Sequence, residues 1–214
     1  MKENIEILFQ DENIIALDKP SGLESLSEKD TRLRGKKTLQ NIVEKQIGQK
    51  LLAFHTLDKD ASGVLIFAKN ENALSSIRKE FKNKNVIRTY ILLLSGVVEK
   101  DEDIIEEPIL VSERDIAIDP YGEKASTKYK ILEKFRGYTL VEACPLTQIK
   151  HQIRLHFWNL GNPLAIDPLY ASGDPIFLSS FKRNYKMKTD GLEKPLISRL
   201  TMHCSEIKLN LQNE

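Results

Sequence analysis

Apolar and polar positions alternate with period two along much of this chain, and with helical period in three stretches. Residues 5–9 and 14–17 read as strands joined by the turn signal Asp11-Glu12-Asn13. Residues 51–54 and 64–68 read as strands on either side of a polar loop. Residues 86–94 form a further strand with Arg88, Tyr90, Leu92 and Leu94 on one side. Residues 125–135 and 138–143 predict a hairpin across Arg136-Gly137, and 202–209 a last strand.

Helical spacing appears first at Leu39, Ile42, Val43 and Ile47, which predicts a helix over 38–47 ended by Gly48. Ala73, Leu74, Ile77 and Phe81 predict a second helix over about 71–83, with Asn70 as its N-cap. A third, over 151–160, buries Ile153, Phe157 and Leu160 and sets His151, Arg154 and Trp158 on the adjoining face; Gly161 and Pro163 stop it. Residues 24–37 are polar, 99–107 an acidic connection, and 172–198 irregular. Strands outnumber helices and do not alternate with them. The expected fold class is therefore α+β, a mixed, mostly antiparallel central sheet with flanking helices, as one domain over residues 1–214.

Composition narrows the function. Hydrophobic residues make up 41% and charged residues 29%, as in globular proteins, and the formal net charge is only +1. Basic residues are nevertheless clustered: Lys29, Arg32, Arg34, Lys36 and Lys37; Arg78, Lys79, Lys82 and Lys84; Lys182, Arg183, Lys186 and Lys188 around Tyr185. Segregated charge of this kind suits phosphate-backbone contacts. No apolar run approaches the ~20 residues of a membrane span, and no basic segment leads into an apolar one at Met1. Cys144 and Cys204 are far apart, and the four histidines have no HxxxH or CxxC partner. These patterns predict reduced thiols, no metal, no membrane and a cytoplasmic location.

One segment stands out chemically: His55-Thr56-Leu57-Asp58-Lys59-Asp60-Ala61-Ser62-Gly63 feeds straight into the apolar run Val64 to Ala68. Strands bury their bodies and expose their ends, so Asp58 falls at the rim of a core. A lone aspartate in such a turn usually caps its own loop. Here Arg154, in Lys150-His151-Gln152-Ile153-Arg154, can supply a cation that holds the carboxylate ionised as nucleophile or base. Tyr90 reads as a half-buried core tyrosine or as a ring that stacks on an extruded base. No serine or cysteine motif supports a hydrolase.

Four ordered segments resemble the RluA-type pseudouridine synthases over about residues 5–209. They are Asp18-Lys19-Pro20-Ser21-Gly22-Leu23, the His55–Gly63 loop, Arg88-Thr89-Tyr90 with Leu94-Ser95-Gly96, and His151-Gln152-Ile153-Arg154-x-His156 with Gly161 to Tyr170. Met202-His203-Cys204 is similar to the closing Leu-His-Ala. The resemblance implies isomerisation of uridine in ribosomal or transfer RNA without a cofactor, by a monomer lacking the N-terminal S4 RNA-binding domain of many relatives. Asp58 would start cleavage of the C1′–N1 bond, Tyr90 would stack on the uracil and help in proton removal, and Arg154 would pair with Asp58. Lys19, His55, Thr56, Lys59, Lys150, His151 and Met202 would contact substrate. Three departures follow from the same comparison. Thr56 stands where the family usually has arginine, Ala61 where it has threonine, and Gln148-Ile149 where it has Gly-Arg. Asp58, Tyr90 and Arg154 are intact, so activity is expected; Thr56 and Gln148 motivate the runner-up reading, a catalytically silent RNA-binding or assembly factor on the same fold.

Overall fold

A computed structural model describes residues 4–26, 37–83, 85–112, 115–182, 185 and 192–209. The expected basic residues Lys29, Arg32, Arg34, Lys36, Lys84, Arg183, Lys186 and Lys188 lie outside them. Ten strands run in chain order as β1 (Glu6–Gln10), β2 (Ile14–Lys19), β3 (Ser62–Ala68), β4 (Ile87–Ser95), β5 (Glu102–Ile105), β6 (Ile109–Val111), β7 (Ile116–Ile118), β8 (Thr127–Phe135), β9 (Tyr138–Pro145) and β10 (Met202–Lys208). Among the described residues, three α-helices, α1 (Leu39–Ile47), α2 (Glu71–Lys82) and α3 (Gln152–Asn159), and a 3₁₀ turn at Leu178–Ser180 complete the set. Eight strands form one sheet in the order β1-β2-β3-β10-β4-β9-β8-β5, while β6 and β7 pair separately. All pairs are antiparallel except β3 with β10. The expected α+β, mostly antiparallel architecture is therefore what the chain adopts.

Local chemistry explains the joints. Asp11 Oδ1 accepts the N–H groups of Asn13 and Ile14, both at 2.7 Å, which turns β1 into β2. The Thr38 hydroxyl accepts Asn41 N–H at 3.3 Å to start α1, and Gly48 ends it at φ 71. Asn70 caps α2 through Ala73 N–H at 2.8 Å. Alternation along β3 then sorts the layers. Leu65 and Phe67 join the main core with Leu39 and Val43 of α1 and Ile153 and Phe157 of α3. Ala68 packs instead with Ala73, Leu74 and Ile77 of α2.

Several expectations differ. Residues 51–54 are not a strand; only Leu52 bridges to Ala68. The acidic connection 99–107 contains β5, in which Ile105 is buried and Asp103 half-buried on one face while Glu102 and Ile104 face outward, so a four-residue edge strand reads as a polar linker. The β6–β7 hairpin was not anticipated. It is three residues per strand, too short for alternation to register. In α3, Trp158 and Leu160 are 49% and 42% exposed, while Arg154 is buried. The expected polar-aromatic face is thus split by an inward-turned arginine.

The parallel β3–β10 contact imposes one strict requirement. Gly63 sits at φ 113, and a Cβ there would stand 2.1 Å from the Cys204 carbonyl oxygen. Gly63→Ala combines a disfavoured backbone region with a main-chain clash, and is expected to cost on the order of 3 kcal/mol or more. A thermal melt within a degree of wild type would refute this.

Candidate active site

The loop between His55 and Ala61 is anchored from behind. Lys19 is fully buried, and its ammonium donates to the carbonyls of Pro20, Lys59 and Ala61 at 3.1, 2.8 and 2.7 Å. Ser25 Oγ donates to Leu57 O at 2.8 Å and accepts Leu57 N–H at 3.2 Å. Ser21 Oγ donates to Asp60 O at 2.6 Å. Desolvation pulls the Lys19 ammonium down to about 8, against the opposing charges of Asp60, Glu24 and Asp58. Lys19, expected to contact substrate, therefore holds the loop instead, because three carbonyls consume its three protons.

His55 is likewise not in the cleft. It is buried beside Phe54 and Phe81, with ring centroids 4.7 and 5.8 Å away, and its Nε2 accepts the Ile66 N–H at 3.3 Å. Burial, then the charge of Arg88, pulls its imidazole from 6.5 to about 3. The unfolded chain takes up this proton near pH 6.5 and the folded chain near 3. The stabilising difference is complete above the higher value and is lost as pH falls through the window. Its slope reaches ~1.4 kcal/mol per pH unit. Urea unfolding at about pH 7.5 and about pH 5 should show a larger loss for wild type than for His55→Gln. Equal losses would count against the assignment.

In front of the loop lies a cleft of about 650 Å³. Asp58, Tyr90 and Arg154 all line it, with Thr56, Lys59, Lys150, His151 and Met202 around them. Three distant segments thus converge. Asp58 comes from the loop before β3, Tyr90 from the middle of β4, and Arg154 from the first turn of α3. Tyr90 and Met202 reach the same cleft because Cys204 opposes Tyr90 and Met202 opposes Leu92 across the β4–β10 ladder.

Arg154 is the electrostatic centre. Its Nη1 donates to Asp58 Oδ2 at 3.0 Å, while its Nε and Nη2 grip Asp167 Oδ2 and Oδ1 at 2.8 and 2.6 Å. Asp167 is 1% exposed and also accepts the N–H of Leu169 at 3.0 Å. Burial alone would lower the guanidinium, but hydrogen bonds and charge from Asp167, then Asp58, outweigh it and hold it above its ordinary value. The two-pronged grip fixes the plane of the guanidinium and points Nη1 at Asp58. Burial, then the neighbouring Cys204, pushes the Tyr90 phenol upward and keeps it neutral.

Asp167 and Tyr170 were not singled out as site residues in the sequence. Asp167-Pro168-Leu169-Tyr170 sits in an irregular stretch with no periodicity. It belongs to a segment that carries the family resemblance, but its residues gave no role beyond a carboxylate in a turn, the kind that most often serves its own loop. Arg88 was missed too: it lines the cleft while Nη2 donates to Thr147 O at 3.3 Å. The departures Thr56, Gln148 and Ile149 all line the cleft, whereas Ala61 is buried and gives its carbonyl to Lys19. The exposed Arg78, Lys79 and Lys82 of α2 do not line it.

A family model described as RNA pseudouridylate synthase matches residues 13–159. The chain belongs to the RNA pseudouridylate synthase family. Asp58, Tyr90 and Arg154 all fall inside the matched span, and the Asp167 anchor falls beyond it. Among its relatives is the ribosomal large subunit pseudouridine synthase C of Yersinia pestis, 33% identical over 97% of this chain and 62% of that protein. Another is the ribosomal large subunit pseudouridine synthase D of Nitrosomonas europaea, 35% identical over 80% of this chain and 51% of the relative. The chain thus spans about half to three-fifths of these relatives. The fold matches the solved structure of human RNA pseudouridylate synthase domain containing 1 with a TM-score of 0.73 and 22% identity, over 97% of this chain and 79% of that one. Among the described residues, no helix is long and apolar enough to cross a membrane, and no three histidine, cysteine, aspartate or glutamate side chains gather as a metal site.

Proposed function

We propose that this chain is an RNA pseudouridine synthase acting on ribosomal RNA, with Asp58 as the group that starts cleavage of the uridine C1′–N1 bond. The observation that supports it most is the Asp58–Arg154 contact at 3.0 Å in the open cleft. One guanidinium serves a buried carboxylate with two of its nitrogens and offers the third to a carboxylate that is 21% exposed at its side chain. The first is structure; the second is left reachable and aimed. The Tyr90 ring supports one face of the uracil, with Met202 beside it. Lys59, Lys150 and Arg88 meet the phosphates flanking the extruded nucleotide. Once freed, the base turns and rejoins the ribose through C5.

Ribosomal RNA is favoured over transfer RNA by the names of the relatives. The test is a chemical map of pseudouridine in total RNA from cells with and without the gene. One or a few ribosomal sites lost, and restored by the wild-type gene, is the expected result. A loss confined to transfer RNA would change the substrate. No loss would favour the silent RNA-binding factor, for which Thr56 and Gln148 in the cleft wall are the supporting residues.

A further inference from the structure

We propose that His151 is a further catalytic residue of this site, the base that removes the C5 proton of the isomerised uracil and returns it to N1. The inference rests on the pseudouridine synthase reading above. Its first support is backbone geometry. Among the described residues, His151 is the one non-glycine with positive φ, at 58°. Such conformations are held in place only when surrounding structure demands them, and they gather at functional sites. Here the Gln152 N–H bonds to Ile149 O at 3.2 Å and the Leu155 N–H to His151 O at 3.0 Å. The buried Gln152 amide then ties down Ile149 N–H, Thr147, Ser126 and Thr127. The turn is closed on both sides, and His151 is turned into the cleft at the start of α3.

The second support is the imidazole itself. Nδ1 lies 2.7 Å from the Tyr170 hydroxyl, and Nε2 lies 3.9 Å from Asp58 Oδ2. In the tautomer with Nδ1–H donating to Tyr170 Oη, the Nε2 lone pair faces the space beside Asp58, where the reacting ring must sit. The Tyr170 hydroxyl can accept a proton as well as donate one, so this tautomer is open to the imidazole, and in it Nε2 is the acceptor a general base needs. The charges facing it are Asp58 from the loop, Arg154 from α3, the adjacent Lys150, and Asp167 with Tyr170 from the segment after α3. Burial leads these in lowering the imidazole from its ordinary value, so it is neutral at physiological pH. Tyr90, the other candidate for this proton, is pushed the opposite way.

The step balances. After C5 bonds to C1′, C5 carries both the new bond and its hydrogen, and N1 is doubly bonded to C6. Nε2 takes the proton from C5, and the C5–H electron pair becomes the C5=C6 bond. The former C6=N1 pair accepts the proton back at N1. No other reactant is consumed, and His151 ends neutral.

The test compares wild type with His151→Asn and His151→Gly, both of which tolerate positive φ, on an RNA whose target uridine carries deuterium at C5. General-base removal predicts that kcat falls about 10²-fold or more while KM stays within about two-fold. It also predicts a C5-deuterium isotope effect on kcat larger than in wild type, and partial rescue of His151→Gly by added imidazole. Tyr170→Phe should show the same isotope signature at a smaller loss. Retained kcat would overturn the proposal, and so would a slow variant with neither isotope effect nor rescue, which would mark a structural role. A wild-type protein that forms no pseudouridine would overturn the reading beneath it as well.

Discussion

Asp58→Asn should leave a folded protein that forms no pseudouridine, with kcat reduced at least about 10⁴-fold, the scale expected for losing an initiating nucleophile or base. The substitution preserves shape. The amide oxygen can still accept from Arg154 Nη1, and the backbone bond from Ala61 N–H to Asp58 O at 3.1 Å is untouched. RNA binding should persist, because Thr56, Lys59, Lys150 and Arg88 remain on the wall. The measurement is product formation on ribosomal RNA beside a binding titration at one fixed salt concentration. Turnover within ten-fold of wild type, roughly 1.4 kcal/mol of barrier, would remove Asp58 from the chemistry. Loss of binding in step with turnover would make it a recognition residue.

Arg154→Met should damage both fold and activity. Arg154 is 4% exposed and answers two carboxylates, one of them 1% exposed. Removing the cation leaves Asp167 buried without its partner, at a cost of about 3–5 kcal/mol. Combining it with Asp167→Leu removes the stranded charge, so the double variant should recover much of the lost stability. It should not recover turnover, because nothing then aims Asp58. Urea midpoints and product yield for the two single variants and the double complete a mutant cycle. Additive stability losses would mean that Arg154 and Asp167 do not act as a unit. Full turnover in the double would mean that Asp58 works without the pair.

Most long elements were legible because their period is local. Helices α1 and α2 emerge with their expected apolar faces, and the caps at Asn70 and Gly48 sit where side-chain chemistry demands, whereas α3 is buried nearly all round and its face is not readable from spacing. Strand β5 escaped because an edge strand with one buried residue looks like an acidic linker. The 51–54 run failed the other way. Its apolar residues serve α1 and α2 rather than a ladder, since Leu52, Phe54 and Phe81 pack together. In the site, Asp58, Tyr90 and Arg154 were readable from residue type and family motif. Lys19 and His55 carried the same motif signal yet lie behind the loop, since a motif records that residues occur together and not which way they face.

Residue order alone carries the α+β class, the succession of the principal strands and helices, the family, and the grouping of Asp58, Tyr90 and Arg154, all of which line the cleft. All of these depend on neighbours in the chain or on short patterns. The chain order leaves open that Arg154 is shared between Asp58 and Asp167, that Lys19 gives its protons to carbonyls, and that His151 is turned toward Asp58; folding settles all three. Apart from the Lys19 bond to adjacent Pro20, these contacts join groups 13 to 96 positions apart, and the His151 backbone conformation is set by packing. A buried charge is positioned by the partners that offset its desolvation, and those partners are neighbours only once the sheet has formed.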